Sequence, residues 1–274
     1  MRKEPHFGIS DAMGAFGPLE PEDMARLVRT SIERGVVMRE LHEAPGDTAV
    51  PPDVILIGWS ITDAGVLSLV AVDRGSGTHE FQGCWPFIIS GIKHAMTVDE
   101  LHHDADCPAI TMLEGRIGHV PITVFDTFCD GFSGEIVAGE TVTLHLAAWA
   151  LNLRRASSEP MRIALDDIKA PQVREIFHAD AGKDGTIEID TAGMVVFLPS
   201  LACSPLYELR APIKAVYPGV PLLGMPVWIL IVPFQRDDGE SLDMELHVTG
   251  GIWEGPAPKI GDDVEGIIWV QARR

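Results

Sequence analysis

Imidazoles, carboxylates and a thiol crowd into one short stretch of this chain: Asp99, Glu100, His102, His103, Asp104, Asp106 and Cys107. These are the groups that zinc and other divalent transition metals accept, and one such stretch can supply two or three ligands. His102, His103, Asp104 and Cys107 are therefore the candidate metal ligands, with zinc or another divalent ion as the candidate cofactor. Val98 to His103 reads as a short helical turn, on which adjacent residues point about 100° apart, so His102 and His103 cannot share an ion while helical. A complete site would need distant help from His79, His94 or His119. Read without a metal, the same residues form a polar surface turn that caps a short helix.

A second set could do nucleophilic chemistry. Cys84 stands directly before Trp85 and Pro86. If Trp85 to Met96 is a helix opened by that proline, the thiol sits at its N-terminus, where the macrodipole and free N–H groups lower a thiol pKa. His119 follows on the way into a strand that carries Ile122, Val124 and Asp126. Cys84, His119 and Asp126 thus make a candidate nucleophile, base and orienting acid. Over residues 84 to 126 this arrangement resembles that of papain-like and related cell-wall-peptide hydrolases, and the resemblance implies a Cys–His dyad working on an acyl bond. The competing reading of Cys84 is a small buried hydrophobe.

Two other patterns fail on spacing. Gly131, Phe132, Ser133, Gly134 and Glu135 lack the second glycine where a nucleophile elbow requires it. Asp180, Asp184 and Gly185 imitate the start of a calcium loop, but Gly182 replaces an oxygen ligand and Thr191 stands where the closing Glu belongs. Trp253 and Glu254 are a candidate binding pair, because a tryptophan among Gly250, Gly251, Gly255 and Pro256 can anchor a partner. The alternative is a tryptophan lid folded over the end of a barrel.

The elements that must position these groups are mostly strands. Pro21 opens one amphipathic helix over residues 21–34, with Met24, Leu27, Val28, Ser31 and Ile32 on one stripe, and Gly35 stops it. Ala44 to Pro52 reads as a linker. Val54 to Trp59 and Val66 to Val72 read as a hairpin, and Ile110 to Ile117, Ile122 to Phe128 and Glu140 to Leu153 as strands. A helix near 172–178 and a strand or hairpin over 186–198 separate these from a later strand-rich stretch. Two segments share a rhythm: Pro121 to Asp126 and Pro226 to Ile231 each lead through a turn to a glycine, an acid and a valine. These are Gly139, Glu140, Val142 and Gly261, Asp262, Val264, each followed by a strand bearing Trp149 or Trp269. The fold expected is mainly β with short helices (α+β), an internally duplicated β-unit and, as one realisation, two OB-like barrels. The division expected is an N-terminal α+β region over 1–107 and a β-rich region over 108–274, its pseudo-repeats at 108–155 and 205–274 joined by a helix and hairpin insertion.

Composition narrows the function. Across 274 residues, 40 acidic side chains face 21 basic ones, a formal charge of −19. Binding to a phosphate backbone needs clustered Lys and Arg, so nucleic acid is an unfavoured partner even for an OB-like barrel. Mean hydropathy is +0.15 and no run reaches the roughly 20 apolar residues of a membrane span. The first ten residues lack a signal-like apolar core, so the expected location is the cytoplasm. No Gly-rich nucleotide loop is present. The leading expectation is a non-enzymatic binding or assembly protein that engages a protein partner or a second copy of itself. The alternative is a hydrolase using a metal near His102 to Cys107 or the Cys84 and His119 dyad.

Overall fold

The computed structural model describes residues 9–41, 53–60, 64–73, 76–104, 107–164, 166, 185–200, 204–222, 224–237 and 240–274. The expected linker over 44–52, the helix near 172–178, the calcium-like residues 180–184, Asp106 and Cys203 lie outside the described residues.

Helix α1, Pro21–Arg34, has proline in its first turn, Glu22 and Asp23 near its N-terminus and Arg34 in its last turn, which complements the helix dipole. It packs on a four-stranded antiparallel sheet of β1 (Val36–Leu41), β2 (Asp53–Ser60), β3 (Ala64–Asp73) and β4 (Thr78–Ile88), in that order. Leu27 and Ser31 are buried there, and Ser31 Oγ lies 2.5 Å from Ser68 Oγ on β3. Gly35 ends the helix for a steric reason. Its φ of −70° is open to any residue, but a Cβ would sit 2.2 Å from the Ser31 carbonyl oxygen.

The helix expected over Trp85 to Met96 is absent. Trp85 to Ile88 complete β4, and Ile92 to Met96 begin β5 (Ile92–His103), which also replaces the helical turn expected over Val98 to His103. Pro86 is tolerated because β4 is the edge of its sheet, where a missing N–H breaks no ladder.

A ten-stranded sheet and a separate two-stranded one carry the rest. Strands β5, β6 (Thr111–Ile117), β7 (Val120–Asp126), β8 (Thr141–Arg155) and β16 (Asp263–Arg273) close into a barrel, in the order β5-β6-β7-β16-β8 and back to β5. Within it only β7 and β16 run parallel. This is the five-stranded closed barrel of the OB type. By position β5 belongs to it, although its residues precede the boundary expected at 107.

Further strands lie outside the barrel. Strands β9 (Met161–Ala164) and β10 (Thr186–Ile189) pair with each other, whereas β11 (Val196–Pro199) pairs with β12 (Leu206–Pro212). The stretch 186–198 is thus two strands with different partners and not one hairpin. Strand β13 (Ala215–Pro218) pairs with β14 (Val227–Asp237), which pairs with β15 (Glu240–Thr249).

The pairings on either side of β8 and β16 correspond. Strand β5 runs antiparallel to β8 as β12 does to β16, and β7 runs parallel to β16 as β15 does to β8. The glycine and acid turns correspond too. Gly139 N–H donates to Val98 O and Val98 N–H to Glu140 O, while Gly261 N–H donates to Ile213 O and Ile213 N–H to Asp262 O. Both glycines have left-handed φ, 90° and 85°. By sheet position the counterpart of β7 is β15, not the β14 strand that the Pro121 and Pro226 rhythm suggests.

Alternation along β8 divides its burial between two cores. Leu144, Leu146, Ala148 and Ala150 face the barrel interior with Met96, Val124 and Val270. Ala147 and Trp149 face a second core with Trp85, Phe87 and Trp269, under the N-terminal sheet. Trp149 and Trp269 are direct partners across β8 and β16.

Candidate functional site

One edge of β16 changes partner along its length: residues 263–269 pair with β12 and residues 271 and 272 with β7. Where β7 and β12 splay apart, a cleft of about 890 Å³ opens on the β6 and β7 face, within the usual size of a ligand site. Tyr207 forms its floor. Thr123 N–H donates to the Tyr207 hydroxyl at 2.7 Å, and that hydroxyl donates to Thr123 O at 3.3 Å. The Tyr207 ring stacks on Phe197 at 4.0 Å with 4° between planes, and burial pushes its pKa up. The β11 wall consists of Phe197, Leu198 and Pro199, with Leu198 55% exposed, on a strand that is the edge of its sheet among the described residues. Across the cleft stand Glu114, His119 and Arg116, the last paired with Asp99 at 3.1 Å.

At the rim, β5 and β6 bring three possible metal ligands together. A register shift between Val98 and Glu100 sets Glu100 directly opposite Glu114, and His102 lies on the same face two residues on. His102 Nε2 is 2.7 Å from Glu114 Oε2 and its Nδ1 is 3.9 Å from Glu100 Oε1. One ligand atom from each falls within 4.8 Å of the others. Of the four ligands expected, only His102 joins this group. His103 turns to the other face of the strand, its Nδ1 2.9 Å from Pro108 O and 3.1 Å from Thr111 Oγ1. Asp104 accepts the Cys107 N–H at 2.9 Å, and Cys107 is buried with its pKa raised by that burial.

The dyad residues are not brought together. Cys84 lies within β4 opposite Ser68, buried, and burial pushes its pKa up to about 11. This is the reverse of an activated thiolate. The neighbouring Trp85 donates from Nε1 to Thr127 O at 3.3 Å, just past the Asp126 end of β7. His119 precedes the opposite end of β7 and is exposed. At about 3.3 Å per residue, His119 and Asp126 stand about 20 Å apart.

Asp126 itself is buried beside Asp130 and Cys129. Gly131 N–H donates to its Oδ2 at 2.7 Å, and its Oδ1 has no partner. Burial and the Asp130 charge raise its pKa to about 7 against the opposing pull of Arg39 and the backbone N–H groups of Gly131 and Asp130. Arg39 of β1 bonds Asp130 and Glu135 and donates to Phe128 O at 3.1 Å, tying the N-terminal sheet to this loop.

Trp253 is not the exposed anchor expected but part of the core. It is 6% exposed, bridges to Leu153 and donates from Nε1 to Pro256 O at 2.8 Å. Glu254 stays exposed on a second cleft of about 820 Å³. There Glu265 bridges Arg154 and Arg210, each at 2.9 Å. Sequence reasoning missed Glu114, Leu198, Tyr207 and the pair of buried His247 and half-buried Glu245, which bond at 2.6 Å. Only the alternation of Glu245, His247 and Thr249 against Met244, Leu246 and Val248 hinted at that pair. Comparison with protein-family models, curated proteins and solved structures finds no match for this chain.

Proposed function

We propose that this chain is a non-enzymatic binding or assembly protein of the cytoplasm that takes an extended, basic and apolar segment of a protein partner along β11. The observation that carries the reading is the cleft itself. It combines an edge strand able to accept a further strand, an exposed Leu198, and a wall that carries Glu114 beside the mutually paired Asp99 and Arg116. Strand addition draws affinity from main-chain bonds and specificity from alternate side chains. The excess of acid, −19 over the chain, favours a basic partner over a second copy. Buried, unpaired Cys84, Cys107 and Cys129 suit a reducing compartment. The matching turns at Gly139 and Gly261 support a duplicated β-unit whose halves share β8 and β16.

Selection from a displayed random peptide library tests the reading. The expected result is an enriched family alternating Lys or Arg with apolar residues, bound at least about tenfold more weakly by Leu198→Asp, for a loss of about 1.4 kcal/mol or more. No enriched family, or full retention by that variant, refutes it.

A second reading rests on Glu100, His102 and Glu114. These residues would hold one zinc or similar ion through imidazole and carboxylate, leaving a fourth position for water as hydrolytic sites do. Native mass spectrometry of protein purified without chelator and then given zinc reads it directly. One ion, lost in His102→Ala, supports it, and a metal-free mass removes it.

A further inference from the structure

Trp149 on β8 and His247 on β15 are partners in parallel register, their rings 5.2 Å apart and 62° from coplanar. The two residues are 0% and 1% exposed, and Trp149 Nε1 and His247 Nδ1 are both buried without a hydrogen-bond partner. Nearly all buried polar atoms find a partner in the protein or in an ordered water, and here no protein atom supplies one to either nitrogen. Both side chains line one narrow cavity of about 20 Å³, whose other walls include Ala64, Gly219, Leu222 and Val227.

The hydrogen-bonding character of each nitrogen follows from its surroundings. Burial pushes the Glu245 carboxyl up, but bonds from His247 and Ser90 more than offset this and hold its pKa below the ordinary range. An ionised carboxylate only accepts, so His247 Nε2, 2.6 Å away, carries the proton that it donates. In the neutral ring His247 Nδ1 is then a lone-pair acceptor, whereas the Trp149 indole N–H can only donate. The cavity thus presents one donor and one acceptor on a wall that is otherwise aliphatic. Its volume exceeds the roughly 10 to 15 Å³ that a single water needs and leaves no room for a larger ligand.

We infer that this cavity is a binding site for one water molecule, which accepts from Trp149 Nε1–H and donates to His247 Nδ1. The water extends a buried chain of bonds from Ser90 through Glu245 and His247 to Trp149. It sits where three parts of the fold meet: Ala64 of the N-terminal sheet, the shared strand β8, and the segment around Gly219 and Leu222 that leads into β14. An aliphatic ligand of similar size would leave both nitrogens unsatisfied, so the site selects a molecule that can donate and accept at once.

A crystal structure at a resolution that orders solvent tests this. The expected result is a single density peak within hydrogen-bond distance of both nitrogens, lost in Trp149→Phe, which keeps an aromatic ring and removes the donor. A dry cavity, or a direct bond from either nitrogen to protein, overturns the inference. Should Trp149→Phe fail to fold, ¹⁵N NMR of the unaltered protein decides. An unprotonated His247 Nδ1, with transfer from a long-lived water to the Trp149 indole proton, is expected. A protonated Nδ1, or no such transfer, overturns it.

Discussion

Asp126 should make this protein less stable as pH rises, and the size of the effect can be worked out. Its carboxyl ends β7 fully buried, with one oxygen bonded to Gly131 N–H and the other without a partner. Burial first, then the Asp130 charge, raise its pKa from 3.8 to about 7. Between those values the folded chain holds a proton that the unfolded chain has lost. Stability from this group is therefore full below about pH 4 and falls as pH rises through 7. At about 1.4 kcal/mol per unit, a gap of about three units amounts to about 4 kcal/mol, of which about 2 to 3 kcal/mol falls between pH 5 and 8. Asp126→Asn removes the titration and keeps an oxygen for Gly131, at a pH-independent cost of about 1 to 3 kcal/mol for a buried amide with unmet donors. Urea unfolding of both proteins at pH 5, 6, 7 and 8 isolates the term together with its coupling to Asp130, because titrating groups away from this cluster cancel in the difference. The variant should gain on the unaltered protein by about 2 to 3 kcal/mol across that range. A difference constant to within about 0.5 kcal/mol would refute the reasoning.

Three further outcomes are expected. With its pKa near 11, Cys84 in the folded protein should resist iodoacetamide at pH 8 and react only after denaturation; alkylation at the rate of a free thiol would revive the nucleophile reading. Gly266→Ala should cost more than about 3 kcal/mol in thermal or urea unfolding, since a Cβ there would sit 1.9 Å from the Asn152 carbonyl oxygen at the β8 and β16 crossing. A fully stable variant would show that the crossing can relax. Ser31→Ala should cost about 1 to 2 kcal/mol by stranding the buried Ser68 hydroxyl, and Ser31→Ala with Ser68→Ala should recover part of that loss.

Local signals were readable where one element decides them. Helix α1 was legible from Pro21 and the stripe of Met24, Leu27 and Val28, and the strands of the barrel from alternation. Gly139 and Gly261 stood out because each needs a left-handed φ next to an acid whose carbonyl is engaged. What stayed hidden depends on register between strands. Glu114 meets His102 only because β5 shifts by a residue between Val98 and Glu100. Pro86 favours a helix start and an edge strand alike, so the Trp85 to Met96 stretch was ambiguous until its place at the sheet edge was known. Trp253 looked exposed because its neighbours are glycines, yet the same glycines let the loop fold inward onto Leu153.

The exchange of β8 and β16 links the fold to its cleft. Strand β8 pairs first with β5 and then with β15, and β16 first with β12 and then with β7, while the two lie against each other throughout. Neither half of the chain can complete its set of strands alone, because each half's last strand also serves the other. Closing the barrel requires residues 263–273 to return to β7 and β8, more than 100 positions earlier, a long-range pairing of the kind that slows folding. The walls of the cleft come from both sides of that exchange: Glu114 to Arg116 and His119 to Thr123 from the first half, Phe197 to Pro199 and Tyr207 from the strands leading into the second. Its floor is the Tyr207 and Thr123 bond that crosses between them. The cleft therefore exists only once the two halves have interlocked, so a ligand that bound in it would stabilise the assembled barrel and nothing short of it.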